Sequence, residues 1–191
     1  GVINLDVSSV IARVGQTGVG PVTPSAGQTA EYELSLFDTV TSTSSTAYLT
    51  VEFTGSTGDL DDHLIDVGQG GNTDRVGINI FSDTGSQRDA SYTFSFFDDA
   101  AFTTPLDLEE ITMQVTDVDQ VESVAVNTSS FASANFFTPT DLSQTTSGGL
   151  ITVTNTVGEN SVKTEPAAAV NFVSLSDINS FSVTLGGSGF T

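Results

Sequence analysis

Apolar residues recur at every second position along almost the whole chain, and that period is what most limits the fold. Glu31-Tyr32-Glu33-Leu34-Ser35-Leu36 sends Tyr32, Leu34 and Leu36 to one face and their polar neighbours to the other. The same step runs through Leu49/Val51/Phe53, Val76/Ile78/Ile80, Tyr92/Phe94/Phe96, Ile111/Met113/Val115, Val124/Val126, Leu150 to Val153, Ala168/Val170/Phe172 and Phe181/Val183/Leu185. With Val2 to Val14 as a less regular first strand, about ten short strands follow, divided by Gly, Asp, Ser and Asn clusters. The expected fold is all-β, an antiparallel β-sandwich of jelly-roll or immunoglobulin-like topology. One short helix is expected at most, over Asp59 to Val67, where Leu60, His63, Leu64 and Val67 share a helical face behind a capping Asp59. Gly15 to Gly27, with Pro21 and Pro24, reads as an extended loop, and the Ser/Thr-only Thr41 to Thr46 as a turn or loop.

Composition supports the pattern and narrows the function. Ser and Thr number 52 of 191 residues, and 13 Phe join abundant Val, Leu and Ile, which favours strands and supplies a core. At this length one domain, residues 1–191, buries enough surface to need no staple. The chain has 24 acidic and 4 basic residues, a net charge of −20. Four scattered cations make no phosphate-binding face, so nucleic acid is not an expected partner. No apolar run approaches a membrane span. Cysteine is absent, which removes thiolate metal sites, disulfides and cysteine nucleophiles. A lysine-poor acidic surface suits salty water outside the cell. A first residue Gly1 rather than Met suggests a piece of a longer protein.

Few motifs carry chemistry. Gly15, Gly18 and Gly20 are followed by prolines instead of a helix, so they are turn residues and no phosphate cradle. Gly68-Gln69-Gly70-Gly71-Asn72-Thr73-Asp74 lacks the spacing and the repetition of a calcium β-roll and reads as a turn. Two carboxylate groups stand out: Asp117, Asp119 and Glu122 directly after a strand, and Asp59, Asp61, Asp62 and Asp66 within eight residues. A D-x-D step presents two carboxylates and a carbonyl to one point, which suits Ca²⁺ and its six to eight oxygen ligands. Without a cation the same carboxylates repel and raise one another's pKa values. Asp98-Asp99 and Glu109-Glu110 are weaker pairs of the same kind.

His63 is the only imidazole, and no G-x-S-x-G elbow accompanies it, so neither a serine triad nor a multi-histidine zinc site is expected. A carboxylate-pair glycosidase needs no histidine, but sugar clefts generally use Trp platforms and this chain has none. Aromatic candidates for ligand contact are Phe136 and Phe137, in a segment outside the clean alternation, and Tyr48, which could stack on a sugar.

The stretch from Ser91 to Val126 carries a resemblance. An aromatic strand ending in Asp (Tyr92-Thr93-Phe94-Ser95-Phe96-Phe97-Asp98), a Pro105-Leu106 turn, a strand ending in Asp117-Val118-Asp119 and then Glu122-Ser123-Val124 follow one another. Together they resemble a module of very large, calcium-dependent, repeat-toxin-type adhesins of Gram-negative bacteria. The closing strands with Asn171-Phe172 and Phe181-Ser182-Val183-Thr184 are similar too. The resemblance implies an extracellular β-sandwich on the bacterial surface, bound to Ca²⁺ through Asp117, Asp119 and Glu122. It implies a non-enzymatic role in attachment or biofilm contact, with a cell-surface glycan or another adhesin copy as partner. A passive spacer, a self-associating domain or a polysaccharide-acting enzyme are the other roles such a sandwich could serve.

Overall fold

The computed structural model describes residues 3–4, 7–14, 22–38, 41–66, 76–119, 121–157 and 166–188, of which 3–14 and Asp66 by their backbone alone. Fourteen strands are formed among them. They are β1 (Ile3–Asn4), β2 (Val7–Val14), β3 (Thr29–Asp38), β4 (Thr43–Gly58), β5 (Asp62–Asp66), β6 (Gly77–Phe81) and β7 (Arg88–Phe97). The later half adds β8 (Ile111–Val115), β9 (Ser123–Asn127), β10 (Phe131–Phe136), β11 (Leu142–Ser147), β12 (Leu150–Asn155), β13 (Val170–Ser174) and β14 (Ser180–Gly187). The one helical element described is a 3₁₀ turn at Pro166–Ala168.

The fold is an antiparallel β-sandwich. One layer runs β2-β3-β4-β7-β14-β9-β12-β11, antiparallel at every step. The other runs β10-β13-β8, and the short β1 joins the two by pairing antiparallel to β3 and parallel to β8. The opening stretch lacks a clean period because it makes two strands, and register shifts between Val7 and Ser9 and between Val10 and Ala12 interrupt β2 along β3.

The period of two becomes the core directly. Tyr32 and Leu34 of β3, Leu49 and Val51 of β4, and Tyr92 and Phe96 of β7 are fully buried in alternate positions. Ile111 and Phe172 do the same from the opposite layer. Phe131 of β10 meets Phe181 of β14 edge-on at 5.0 Å, and Phe181 in turn stacks on Phe94 at 5.0 Å, so aromatic rings tie the layers together.

Two local expectations are corrected. The helix over Asp59 to Val67 is absent from its described part: Asp62–Asp66 is strand β5, paired along its length with β6. Nine residues are too few to sustain an isolated helix, and the partner strand satisfies the backbone instead. His63, Leu64 and Ile65 are all buried, so both faces of β5 are covered, a burial that helical spacing mimics. Thr43 to Thr46 is not loop but the start of β4, in register with β3. Polar strands such as β11 (Leu-Ser-Gln-Thr-Thr-Ser) also escape a reading based on apolar period. The Gly68–Asp74 turn and Gly15 to Gly20 lie outside the described residues.

Candidate functional site

The D-x-D turn lies where β8 leaves its layer and the chain crosses to β9. Asp117 takes a left-handed backbone conformation (φ 66°), which turns the chain sharply after Thr116. The Asp119 N–H donates to Glu122 Oε2 at 2.8 Å, and the Glu122 N–H donates to the Asp119 carbonyl at 2.7 Å, a reciprocal clasp that closes the turn. Asn155 anchors it from β12: its side-chain amide donates to the Val118 carbonyl at 2.9 Å, and its backbone N–H to the Glu122 carbonyl at 3.2 Å. A Cβ placed on Gly187 of β14 would lie 3.6 Å from Glu122 Cγ, so the acid is packed against the sheet rather than extended into water.

That position shapes its chemistry. Burial pushes the Glu122 carboxyl up to about 7; the Asp119 N–H works against the rise, the charges of Asp119 and Asp117 add to it, and the Arg88 charge again opposes it. Arg88, 7% exposed, donates to the Ile80 and Ser86 carbonyls and pairs with Gly187 across β7 and β14. The structure thus brings Asp117, Asp119 and Glu122 into one electrostatic neighbourhood. Among the described residues, however, no group of three or more His, Asp or Glu side chains is placed to hold a metal ion.

The Asp59 group is arranged differently. Ser82 and Thr84 hydroxyls donate to Asp59 Oδ2, and the Asp83 N–H donates to Asp61 Oδ2 at 2.7 Å. These two carboxylates therefore clamp the loop after β6 to the end of β4. Asp62 lies beside His63, and the Asp66 side chain is outside the described residues. Asp99 closes its own loop: the Ala101, Thr103 and Thr104 N–H groups all donate to it. Desolvation raises its pKa, but the bonds from Thr104, Thr103 and Ala101 together outweigh that and hold it low.

His63 belongs to the core. Gln28 Oε1 accepts the Ser25 N–H and faces His63 Nε2, so Nε2 carries the proton, and Nδ1 accepts from the Tyr92 hydroxyl at 3.1 Å. The Phe53 ring packs on the imidazole at 4.6 Å, and His63 and Val22 exchange backbone hydrogen bonds at 3.0 Å. Burial pushes its pKa down, against an opposing pull from Asp62, so the ring is held neutral.

Of the aromatic candidates, Tyr48 is half-buried on the outward face of β4. It pairs with Phe97 across β7, and Phe102 stands edge-on to both, 6.0 Å from Tyr48 and 5.7 Å from Phe97. Phe102 also has a left-handed backbone (φ 56°), in the loop that Asp99 holds. Phe136 packs against the core from β10, and Phe137, just past the strand, is half-buried.

No known family matches the chain, and no curated protein does. Among solved structures, it is similar to the N-terminal domain of the Streptococcus gordonii adhesin Sgo0707, with a TM-score of 0.50 and 14% sequence identity. The likeness covers 97% of this chain and 59% of that one. At that identity the likeness shows a shared fold alone.

Sequence reasoning missed two partners of these sites. Arg88 approaches Glu122 only through the pairing of β7 with β14. Phe102 reaches Tyr48 only because Asp99 folds its loop back; the Asp99-to-Thr104 spacing, with Thr at 103 and 104, was the available signal.

No helix among the described residues is long and apolar enough to cross a membrane.

Proposed function

We propose that this chain is a non-enzymatic adhesion module of a bacterial surface protein, displayed outside the cell. The observation that carries the proposal is the likeness to an adhesin domain over 97% of the chain. The site geometry supports it: the sole histidine has both ring nitrogens engaged inside the core, leaving it no approach to a substrate. The outward face of β4 and β7 instead offers the half-buried rings of Tyr48, Phe97 and Phe102, a platform for the apolar face of a cell-surface glycan.

Calcium is part of the same proposal. A cation beside Asp117, Asp119 and Glu122 would relieve the repulsion that helps to raise Glu122, so binding would add to folding free energy. Because no three acids are placed for it among the described residues, binding would have to draw the turn closer, and a raised melting temperature in millimolar Ca²⁺ over chelator is the expected sign.

The test of the adhesive role is saturable binding of labelled chain to cell layers and to an array of surface glycans. Binding should exceed that of an unrelated β-sandwich and fall in Tyr48→Ala. Binding no better than the unrelated sandwich would refute the role. Turnover of a polysaccharide, abolished by Glu122→Gln, would replace it with an enzyme.

A further inference from the structure

The three outer strands of the two layers are unequal. Two register shifts interrupt β2 along β3, and β2 contains Arg13. One register shift interrupts β10 along β13. Bulges and charges of this kind are how sheet edges are kept from pairing with other chains. β11 has neither. It runs in unbroken register with β12 from Leu142↔Asn155 to Ser147↔Leu150, and no described strand covers its other side. Every residue from Ser143 to Ser147 is exposed.

The charge distribution points to the same edge. In a chain of net charge −20, residues 123–158 hold one charged side chain, Asp141. Two copies of so acidic a chain repel wherever their acidic faces meet, and this is the stretch over which they do not.

We propose that β11 is a self-pairing edge, joining antiparallel to β11 of a second copy. The register follows from the hairpin. Gly148 and Gly149, both with left-handed φ (59° and 79°), form a two-residue turn, which makes Ser147↔Leu150 a hydrogen-bonded pair. Ser147, Thr145 and Ser143 therefore spend their backbone groups on β12, and Gln144 and Thr146 point theirs to the open side. The Leu142 N–H is already taken by the Thr140 hydroxyl at 3.1 Å. A two-fold axis through Thr145 lets Gln144 of each copy exchange both backbone bonds with Thr146 of the other. It sets Thr145 against its own counterpart and Ser143 against Ser147. Hydroxyl and amide side chains then line the seam, and no like charges oppose.

Asp141 falls opposite Gly149 of the other copy. The two Asp141 residues stand at opposite ends of the seam, about eight residues or ~26 Å apart at ~3.3 Å per residue, well beyond the ~8 Å screening length of physiological salt. Six residues of strand bury less than the roughly 1,200 Å² of a stable interface, so a single contact is weak. Many copies displayed on facing surfaces would hold by avidity, a step that rests on the surface-protein reading; the pairing itself does not.

The test uses the cysteine-free chain as it is. Thr145→Cys sets two thiols opposite each other in a non-hydrogen-bonded pair, with Cα atoms about 4.5 Å apart, within disulfide range. Under mild oxidation it should form a linked dimer much faster than Ser44→Cys, an equally exposed site on β4. Ser143→Cys mixed with Ser147→Cys should cross-link where either alone does not. Sedimentation equilibrium of the wild type should show a reversible dimer. Thr146→Pro removes an outward N–H from each copy and should weaken that dimer roughly thirtyfold while leaving the melting temperature unchanged. A wild type that stays monomeric at the highest concentration, or Thr145→Cys linking no faster than Ser44→Cys, overturns the proposal. A dimer indifferent to Thr146→Pro overturns it too. These measurements involve no cell or glycan, so their failure is distinct from failure of the adhesive role.

Discussion

His63, fully buried, and Glu122, half-buried against the sheet, are two titratable groups that this sandwich treats in opposite ways. His63 has a partner for each ring nitrogen, an aromatic ring on its face and a backbone pair to Val22, and it stays neutral. Glu122 keeps one strong bond, from the Asp119 N–H, and faces two carboxylates of its own sign. A satisfied buried polar group is part of the frame. One desolvated by burial and then crowded by like charge stores free energy that a proton, or a cation beside it, can release. The contrast separates the architecture around Tyr92 and Phe53 from the turn that could respond to the surroundings.

The largest effect should come from breaking the satisfied side. His63→Ala removes the packing on Phe53 and strands the Tyr92 hydroxyl in the core, and should lower unfolding free energy by about 3–5 kcal/mol in a urea titration. A loss below about 1 kcal/mol would mean the group is incidental to the frame.

The crowded side should respond with the opposite sign. A carboxyl whose folded pKa lies near 7, against an ordinary value of 4.5, is protonated in the folded state while the unfolded chain has already lost its proton. Its stabilising contribution is complete below pH 4.5 and declines by about 3 kcal/mol as pH rises to 7. Glu122→Gln keeps an acceptor for the Asp119 N–H and removes the charge. It should raise stability at pH 8 in chelator by about 3 kcal/mol, and lose that advantage in millimolar Ca²⁺ if the ion binds there. His63 contributes the reverse slope: with its pKa lowered, stability is fully present above pH 6.5 and is lost as pH falls below it. A pH series of melting temperatures on wild type, His63→Ala and Glu122→Gln should therefore show each limb removed separately.

Smaller effects test what lies between. Arg88 pairs with Gly58 on one side and Gly187 on the other. Gly58 has φ 78°, and a Cβ there would stand 2.2 Å from the Gln87 carbonyl oxygen, so Gly58→Ala should cost about 1–3 kcal/mol by calorimetry. Asp59→Ala removes an acceptor from the buried Ser82 and the exposed Thr84 hydroxyls, which still face each other, and should cost about 1 kcal/mol.

The sandwich and most of its core were legible because alternation is a local signal: Tyr32, Leu49, Phe94 and Val183 sit where a period of two sends them. β5 was not, because a strand covered on both faces has no alternation, and the spacing of Leu60, His63 and Leu64 imitates a helix. β11 was not, because it is polar throughout and owes its conformation to six pairs with β12. At the candidate site, Asp117, Asp119 and Glu122 were found by proximity in the chain. Their charge environment depends on Arg88 and Gly187, which arrive through pairing across dozens of residues. The His63 contacts with Gln28 and Tyr92 span 35 and 29 positions, and no local pattern marks them.

The most direct test of the adhesive role is a force measurement, with the purified chain tethered to a probe tip and lowered onto a living cell layer. The account predicts rupture events well above those of a tip bearing an unrelated β-sandwich, suppressed by free chain in solution. Rupture forces and frequencies equal on the two tips would contradict it.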